Sequence, residues 1–262
     1  MNKHEIYEKI ISKKEFSQLI KEDVERAIKK FEKRDLNDEE KVKLVRELLR
    51  KVFAFGSEKL LNRKILDKKS PYEILKKHFS TRERLSYYKE VYSRLLADFD
   101  DKEISVIDFG AGINGLSYGF FNELNFKVNY AAVEAVGQFV ELMNYYFKKE
   151  NLNGKSIHES LFNLEKIKEI IKIQKKPRII FLFKTLDSLE MLERNYSKKL
   201  VKEISLLAEK IVVSFATKSL GARKKFKVQR YWFENFLSKE NFKILDDFES
   251  SDEHYIVFMS SE

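Results

Sequence analysis

The 262-residue chain contains no cysteine, two prolines, one tryptophan and eight glycines. Without cysteine there are no disulfides, no thiolate nucleophile and no cysteine-ligated zinc or iron–sulfur centre, although the redox compartment is left untested. So little proline, with 43% hydrophobic and 35% charged residues, argues against collagen-like, membrane and largely disordered chains. No stretch approaches the roughly 20 uninterrupted apolar residues of a membrane span, and Met1-Asn2-Lys3-His4-Glu5 opens no signal-peptide apolar segment. A soluble, cytoplasmic protein is the expectation. The four histidines (His4, His78, His158, His254) lie far apart and form no close-spaced ligand motif, so no metal site is expected.

The excess of basic over acidic residues, 51 against 42, gives a net charge of +9. Residues 1–100 carry roughly +7 of it and the remainder roughly +2. Polyanion binding, where it occurs, starts with the N-terminal part; a solvated lysine-rich surface accounts for the same charge equally well.

From Ser17 to about Lys33, the apolar positions Ile20, Val24, Ala27, Ile28 and Phe31 recur at helical spacing. Asn37 is a suitable N-cap for a second helix, with Asp38, Glu39 and Glu40 in its first turn and Val42, Val45, Leu48, Leu49 and Val52 on one face. Further helices are expected over Tyr72–Lys77, where Pro71 marks the start, and from Thr81 to about Leu96. Residues 1–100 thus read as an all-helical domain, with the boundary near Asp98 to Lys102 and a second domain over 101–262.

At Ile104 the pattern changes. The β-branched run Ile104-Ser105-Val106-Ile107 stops in the turn Asp108-Phe109-Gly110-Ala111-Gly112. Strands are also expected at Val128–Val133, Arg178–Phe183 and Lys210–Phe215, with helical stretches near 115–124, 137–150 and 186–208. This alternation predicts a doubly wound parallel α/β sheet. After a helix near Tyr231–Leu237, the runs Phe242–Phe248 and Tyr255–Met259 read as an antiparallel hairpin closing one sheet edge.

Gly110, Gly112 and Gly115 satisfy Gly-x-Gly-x-x-Gly, a spacing that also suits a dinucleotide. A tight ligand-free turn would use the same residues. Two features favour S-adenosylmethionine: Asp108 just inside the strand end, and a C-terminal hairpin in place of a second nucleotide-binding half. Asp108 can accept bonds from turn amides or from the ligand's ammonium group. Glu134, ending the second strand about 20 residues later, is placed to take both ribose hydroxyls, unless it is simply solvated. The third strand is poorly marked, and Ser160 with Leu161 is assigned to the adenine edge.

Four segments, in order, resemble the aminoglycoside-resistance 16S ribosomal RNA methyltransferases, which act on guanine N7 in the decoding region. They are His78-Phe79-Ser80-Thr81-Arg82-Glu83-Arg84-Leu85, the turn Asp108 to Leu116, Phe183-Lys184-Thr185-Leu186-Asp187-Ser188-Leu189-Glu190, and Ser214-Phe215-Ala216-Thr217-Lys218-Ser219-Leu220-Gly221-Ala222-Arg223. The helical N-terminal part is similar to that family's accessory RNA-binding domain. The resemblance implies a Rossmann-like class I methyltransferase fold, with Arg84 on the cofactor carboxylate, Glu134 on its ribose, and Lys184 as the catalytic-site residue at the target nucleotide or its phosphate. A snorkelling surface lysine is the alternative at Lys184. The chain departs from the family pattern in three places. Gly-Leu-Asn-Pro-Leu becomes Gly112-Ile113-Asn114-Gly115-Leu116, which implies a looser turn. Gly-Lys-Gly becomes Lys224-Lys225-Phe226, and the adenine-contacting Asp becomes Ser160.

Between Thr217 and Arg230 stand six basic residues, Lys218, Arg223, Lys224, Lys225, Lys227 and Arg230, and no acidic one. A loop after the fifth strand overhangs the ligand edge of such a sheet, so these residues are expected to hold RNA phosphates, with Phe226, Tyr231 or Trp232 offering a stacking face. The alternative is a charged loop with its aromatics packed beneath. Guanine N7 is already nucleophilic, so the absence of a Cys or His catalytic constellation agrees with methyl transfer governed by alignment, and a buried base would have to be flipped out. The expectation is therefore a monomeric, S-adenosylmethionine-dependent methyltransferase acting on ribosomal RNA or the small ribosomal subunit. Methylation of another RNA atom (a cytosine amine or a ribose hydroxyl), a non-catalytic RNA- or ribosome-binding role and a small-molecule substrate are the alternatives. Intact Asp108, Gly110, Gly112 and Glu134 weigh against the second, and the basic N-terminal part and loop against the third.

Overall fold

A computed structural model describes residues 2–56, 58–100, 102–217, 231–250 and 252–261. The helical part comprises α1 (Lys3–Ile11), α2 (Lys21–Lys29), α3 (Asp38–Phe53), α4 (Pro71–Leu75), α5 (Phe79–Arg84) and α6 (Tyr88–Leu95), with two short 3-10 turns between α3 and α4. Asn37 caps α3 in a capping box: its side chain accepts from the Glu40 amide at 3.0 Å while Glu40 accepts from the Asn37 amide at 3.1 Å. Asn2 and Glu5 repeat the device at α1, a helix that the periodicity beginning at Ser17 does not reveal. The single helix expected from Thr81 is two, because the chain breaks at residues 85–87 and restarts at Tyr88.

The second half supplies β1 (Glu103–Phe109), α7 (Gly119–Glu123), β2 (Lys127–Glu134), α8 (Gly137–Lys149), β3 (Gly154–His158), α9 (Leu164–Lys172) and β4 (Arg178–Phe183). Then follow α10 (Thr185–Leu192), α11 (Tyr196–Ser205), β5 (Lys210–Ala216), α12 (Tyr231–Lys239), β6 (Lys243–Ser250) and β7 (Glu253–Met259). Among the described residues the strands form one seven-stranded sheet in the order β3-β2-β1-β4-β5-β7-β6. The first five are parallel, and β7 runs antiparallel between β5 and β6. This is the Rossmann-like methyltransferase sheet with its C-terminal hairpin. The stretch 186–208 divides into α10 and α11 because Glu193 is extended and Asn195 is left-handed, with φ 64°.

Strand residues alternate between two cores, as period-two geometry requires. Val106, Tyr130, Phe181, Val212 and Val257 face a cluster that includes α7, α8 and the apolar stripes of the N-terminal helices. Ile107, Val133, Leu182, Val213 and Ile256 face α9 to α12. The helical part therefore shares a continuous core with one face of the sheet. It is also stitched to the start of α8: Leu19 bridges Val136, the Gly137 amide donates to the Gln18 carbonyl at 2.9 Å, and Gln138 donates to the Lys14 carbonyl at 2.8 Å. A Cβ on Gly137 would lie 2.8 Å from Gln18 Oε1, so this approach depends on glycine there. Among the described residues, no helix is long and apolar enough to cross a membrane.

Candidate active site

At the carboxyl ends of β1, β2 and β4 the helical part and the sheet enclose a cleft of about 250 Å³. This is where an open parallel sheet places its ligand. The turn after β1 forms the floor. Gly110 and Gly112 hold φ +67° and +57°, conformations that L side chains rarely adopt. A Cβ at Gly110 would also stand 2.9 Å from Thr185, so the backbone there is bare toward α10. At Gly115, where the expectation was a looser turn, the structure is tight. Gly115 is buried, and a Cβ would sit 2.8 Å from Phe147 Cζ, so the missing side chain lets the turn close against α8.

Glu134, the last residue of β2, is buried at the cleft edge. Its carboxylate accepts from the Gly112 amide at 2.7 Å and from the Val136 amide at 2.9 Å. Burial pushes its pKa up to about 7, against the lowering effect of those amides. One carboxylate thus fixes the glycine turn to the strand beside it.

Among the described residues Asp108 accepts no bond from the turn's backbone amides, one of the two roles the sequence suggested. Its carboxylate is held from within by Asn114 Nδ2 at 2.7 Å and by the Tyr130 hydroxyl, and burial raises its pKa. Asn114 continues the network, its Oδ1 accepting from Tyr88 at 2.6 Å and from Arg84 Nη1 at 3.0 Å. Arg84 is 1% exposed, and its guanidinium fork closes on Glu253, with Nε to Oε2 at 2.9 Å and Nη2 to Oε1 at 2.8 Å. Burial alone would raise the Glu253 carboxyl, yet Arg84 and Lys184 hold it below the ordinary carboxylate range. Ser214 and Tyr255 donate to the same carboxylate at 2.8 and 3.0 Å.

Lys184 follows β4 in a left-handed conformation, φ 57°, at the N-cap of α10. Its ammonium pairs with Glu83 across the cleft and lies 4.0 Å from Glu253. His78 forms part of the same wall. Burial drives its pKa down to about 4, with Arg84 and Lys184 adding to the shift and the Ala54 backbone opposing it. Leu161 lines the cleft together with Phe162 and Asp23. Ser160 is turned away, its hydroxyl donating to Asp23 at 2.5 Å. The structure thus gathers Arg84, Asp108, Gly110, Gly112, Glu134, Leu161 and Lys184 around one cavity. Lys218, Arg223, Lys224, Lys225 and Lys227 lie outside the described residues.

A family model for ribosomal RNA methyltransferases (FmrO) matches residues 68–257, most of the chain. The chain belongs to this ribosomal RNA methyltransferase family. Solved structures that share its fold include an rRNA methylase from Escherichia coli, with 18% identity and a TM-score of 0.76 over 99% of this chain and 100% of that one. The 16S rRNA methyltransferase RmtF, in complex with S-adenosyl-L-homocysteine, has 20% identity and a TM-score of 0.75 over the whole of both chains. The 16S rRNA methylase ArmA has 25% identity and a TM-score of 0.60 over 78% of this chain and 97% of that one. No curated protein matches the chain in sequence. The whole-length likenesses include the helical segment as well as the sheet.

Sequence reasoning missed Glu253, Glu83, Asn114 and Asp23 as cleft or network residues of this family member. Glu253 reads as part of the polar hairpin connection. Asp23 carried a usable signal: it occupies the i+3 place in the apolar series Ile20, Val24, Ala27, where a charge is out of keeping with a buried stripe.

Removing one member of the buried Arg84–Glu253 pair leaves an uncompensated charge, so Glu253→Ala should cost about 3–5 kcal/mol of stability in chemical denaturation. The double variant Arg84→Met/Glu253→Leu should cost less than the two single changes summed, by more than about 1 kcal/mol. Additive losses would show that the two side chains are not coupled.

Proposed function

We propose that this chain transfers a methyl group from S-adenosylmethionine to guanine N7 of small-subunit ribosomal RNA. The observation that carries the reading is Glu134, a buried carboxylate at the end of β2 tied to a positive-φ glycine turn, in a chain of the ribosomal RNA methyltransferase family. The cleft suits that ligand. It offers a carboxylate for vicinal hydroxyls and a bare backbone turn. RmtF, which shares the fold, binds S-adenosyl-L-homocysteine in its solved structure.

Glu134 would take the ribose hydroxyls, the turn from Gly110 to Gly112 would lie beneath the ligand, and Leu161 would pack on the adenine. Asp108 is assigned to the ammonium group. Arg84 is assigned to the methionine carboxylate, which would have to take over part of the guanidinium that Glu253 and Asn114 hold in this structure. When bound, S-adenosylmethionine supplies an electrophilic methyl group on a sulfonium. The protein then has little chemistry left to do, since guanine N7 carries a lone pair and loses no proton on methylation. His78, whose pKa burial lowers to about 4, is a weak base, and such a step needs none. Its neutrality instead suits a packed wall that excludes water. Lys184 and Glu83 stand at the mouth, where they would orient the target nucleotide and so provide alignment.

RNA affinity is assigned to the helical part, as an accessory RNA-binding domain over residues 1–100, and to the basic segment 218–230. Ala216, which ends β5, lines the cleft two residues before that segment begins in the sequence. Tyr231, 56% exposed at the start of α12, is assigned with Phe226 as a stacking face. Trp232 instead packs edge-on against Phe215 and Phe233. The enzyme is expected to act in the cytoplasm, as a monomer, on the small ribosomal subunit.

Incubation with labelled cofactor and separate RNA and subunit fractions, followed by mass-spectrometric mapping, should place the methyl group on a single guanine N7 of the small-subunit RNA. Label on a cytosine amine or ribose would assign a different acceptor, and no label on any fraction would contradict the reading.

The affinity for S-adenosyl-L-homocysteine should depend on pH through Glu134. Ribose hydroxyls donate to the ionised carboxylate, so binding is full above a pKa of about 7 and is lost as pH falls through it. Calorimetry should show roughly tenfold weaker binding at pH 6 than at pH 8. Glu134→Gln should be weak and vary by no more than about twofold across that range, the residual change coming from Asp23, and an unchanged pH profile in the variant would remove Glu134 from the site.

Replacing Arg223, Lys224 and Lys225 together by Ala should lower RNA affinity and reduce its salt slope by about 3. S-adenosyl-L-homocysteine affinity should remain within about twofold. An unaltered salt series would exclude these side chains from phosphate contact.

A further inference from the structure

Glu134 marks the end of β2, and the glycine turn and Lys184 mark the ends of β1 and β4. A ligand whose ribose sits at Glu134 and whose sulfonium faces Lys184 must therefore extend its base the other way, over the end of β3. The loop directly after β3, residues 159–163, puts no carboxylate in the lining of the cleft. Glu159 folds back onto the Ser160 amide at 2.9 Å, and Ser160 accepts from the Phe162 amide at 3.1 Å while donating to Asp23. The carboxylate at this place comes from the helical part. Asp23 on α2 is 3% exposed, lines the cleft beside Leu161 and Phe162, and among the described residues Ser160 is the only hydrogen-bond partner of its side chain. A carboxylate offers about four acceptor positions, and burying it with one bond made is costly unless a ligand supplies another.

How Asp23 reaches this point is also visible. The segment before α2 is stitched to the start of α8 through Leu19–Val136 and Gln18–Gly137, which carries α2 across the end of β3. Arg26, one turn along, stacks over the Phe162 ring at 4.2 Å and pairs with Glu193, clamping α2 to the same loop. Burial lifts the Asp23 pKa to about 6, with the Ser160 hydroxyl and Arg26 acting against it.

We infer that Asp23 accepts a hydrogen bond from the exocyclic amine of the cofactor's adenine, with Ser160 as the positioning residue that aims it. The inference rests on the S-adenosylmethionine reading. It makes the helical part a component of the cofactor site, so that cofactor binding joins α2 to the sheet.

The test compares S-adenosyl-L-homocysteine with its inosine counterpart, in which a carbonyl oxygen replaces the amine. Calorimetry on the wild-type protein at pH 8 should show a preference for the adenosine form on the order of 10- to 100-fold, the range for a hydrogen bond to a charged acceptor. Asp23→Asn, whose amide can donate as well as accept, should bring the preference to within about threefold. Ser160→Ala should reduce it partly. The exchange Asp23→Ser/Ser160→Asp, which moves the carboxylate onto the loop after β3, should restore it, and it keeps the question decidable should Asp23→Asn fail to fold. A wild-type protein that binds neither compound would overturn the cofactor reading and this inference together. Binding of S-adenosyl-L-homocysteine with the preference undiminished in Asp23→Asn, or absent in the exchange variant, would overturn this inference alone.

Discussion

Arg84 carries a full charge at 1% exposure, and its enclosure is possible only because every side of the guanidinium meets a partner. Desolvating a guanidinium and a carboxylate costs several kcal/mol each, which the mutual attraction offsets when the geometry is two-pronged and the remaining lone pairs are satisfied. Here Glu253 is met by Arg84, Ser214 and Tyr255, and Arg84 extends through Asn114 to Asp108 and Tyr130. A partly completed network would be worse than an apolar core. The members must therefore arrive together, and they come from α5, the turn after β1, β2 and the C-terminal hairpin. This polar chain ties the helical part to β1, β2, β5 and β7 beside the cleft.

The same constraint explains why the glycine turn has the shape it does. Asn114 cannot serve Arg84, Tyr88 and Asp108 at once unless the turn folds back over the end of β1, which requires left-handed backbone at Gly110 and Gly112. Glu134 then takes the Gly112 amide and fixes the returned turn to β2. Buried inward bonds on Asp108 and outward-facing acceptors at Glu134 are thus two consequences of one packing solution. The strand-end acid that the sequence suggests as a ligand is first of all a structural anchor.

Much of this was legible beforehand. The β-branched runs fixed β1, β2, β4 and β5 to within about two residues, and the capped apolar stripe fixed α3, because local pattern and tertiary demand agree there. β3 was obscure because Gly154-Lys155-Ser156-Ile157-His158 is short and polar, its strand character coming from pairing with β2. Glu253 and Asp23 were illegible as site residues for a shared reason. Each is brought to the cleft by an element whose place depends on long-range docking, and spacing along the chain carries no record of that. The departure at Ser160 was visible as a missing acid. Only the fold shows that an acid from α2 stands against it.

The chemistry asked of this cleft is modest and the geometry exacting, and the distribution of charge follows from that. A base-catalysed reaction needs a group whose pKa is tuned toward neutrality and which faces the reacting atom. In this cleft the groups tuned that way, Glu134 and Asp23, stand where ribose and adenine would be held, while the mouth carries the paired Lys184 and Glu83. Titratable character is concentrated on the side that would recognise the cofactor, and the side facing the acceptor is held by an ion pair and a neutral histidine. Such a division suits transfer to an atom that is nucleophilic without help. An acceptor that must lose a proton, such as a ribose hydroxyl, would call for the reverse arrangement.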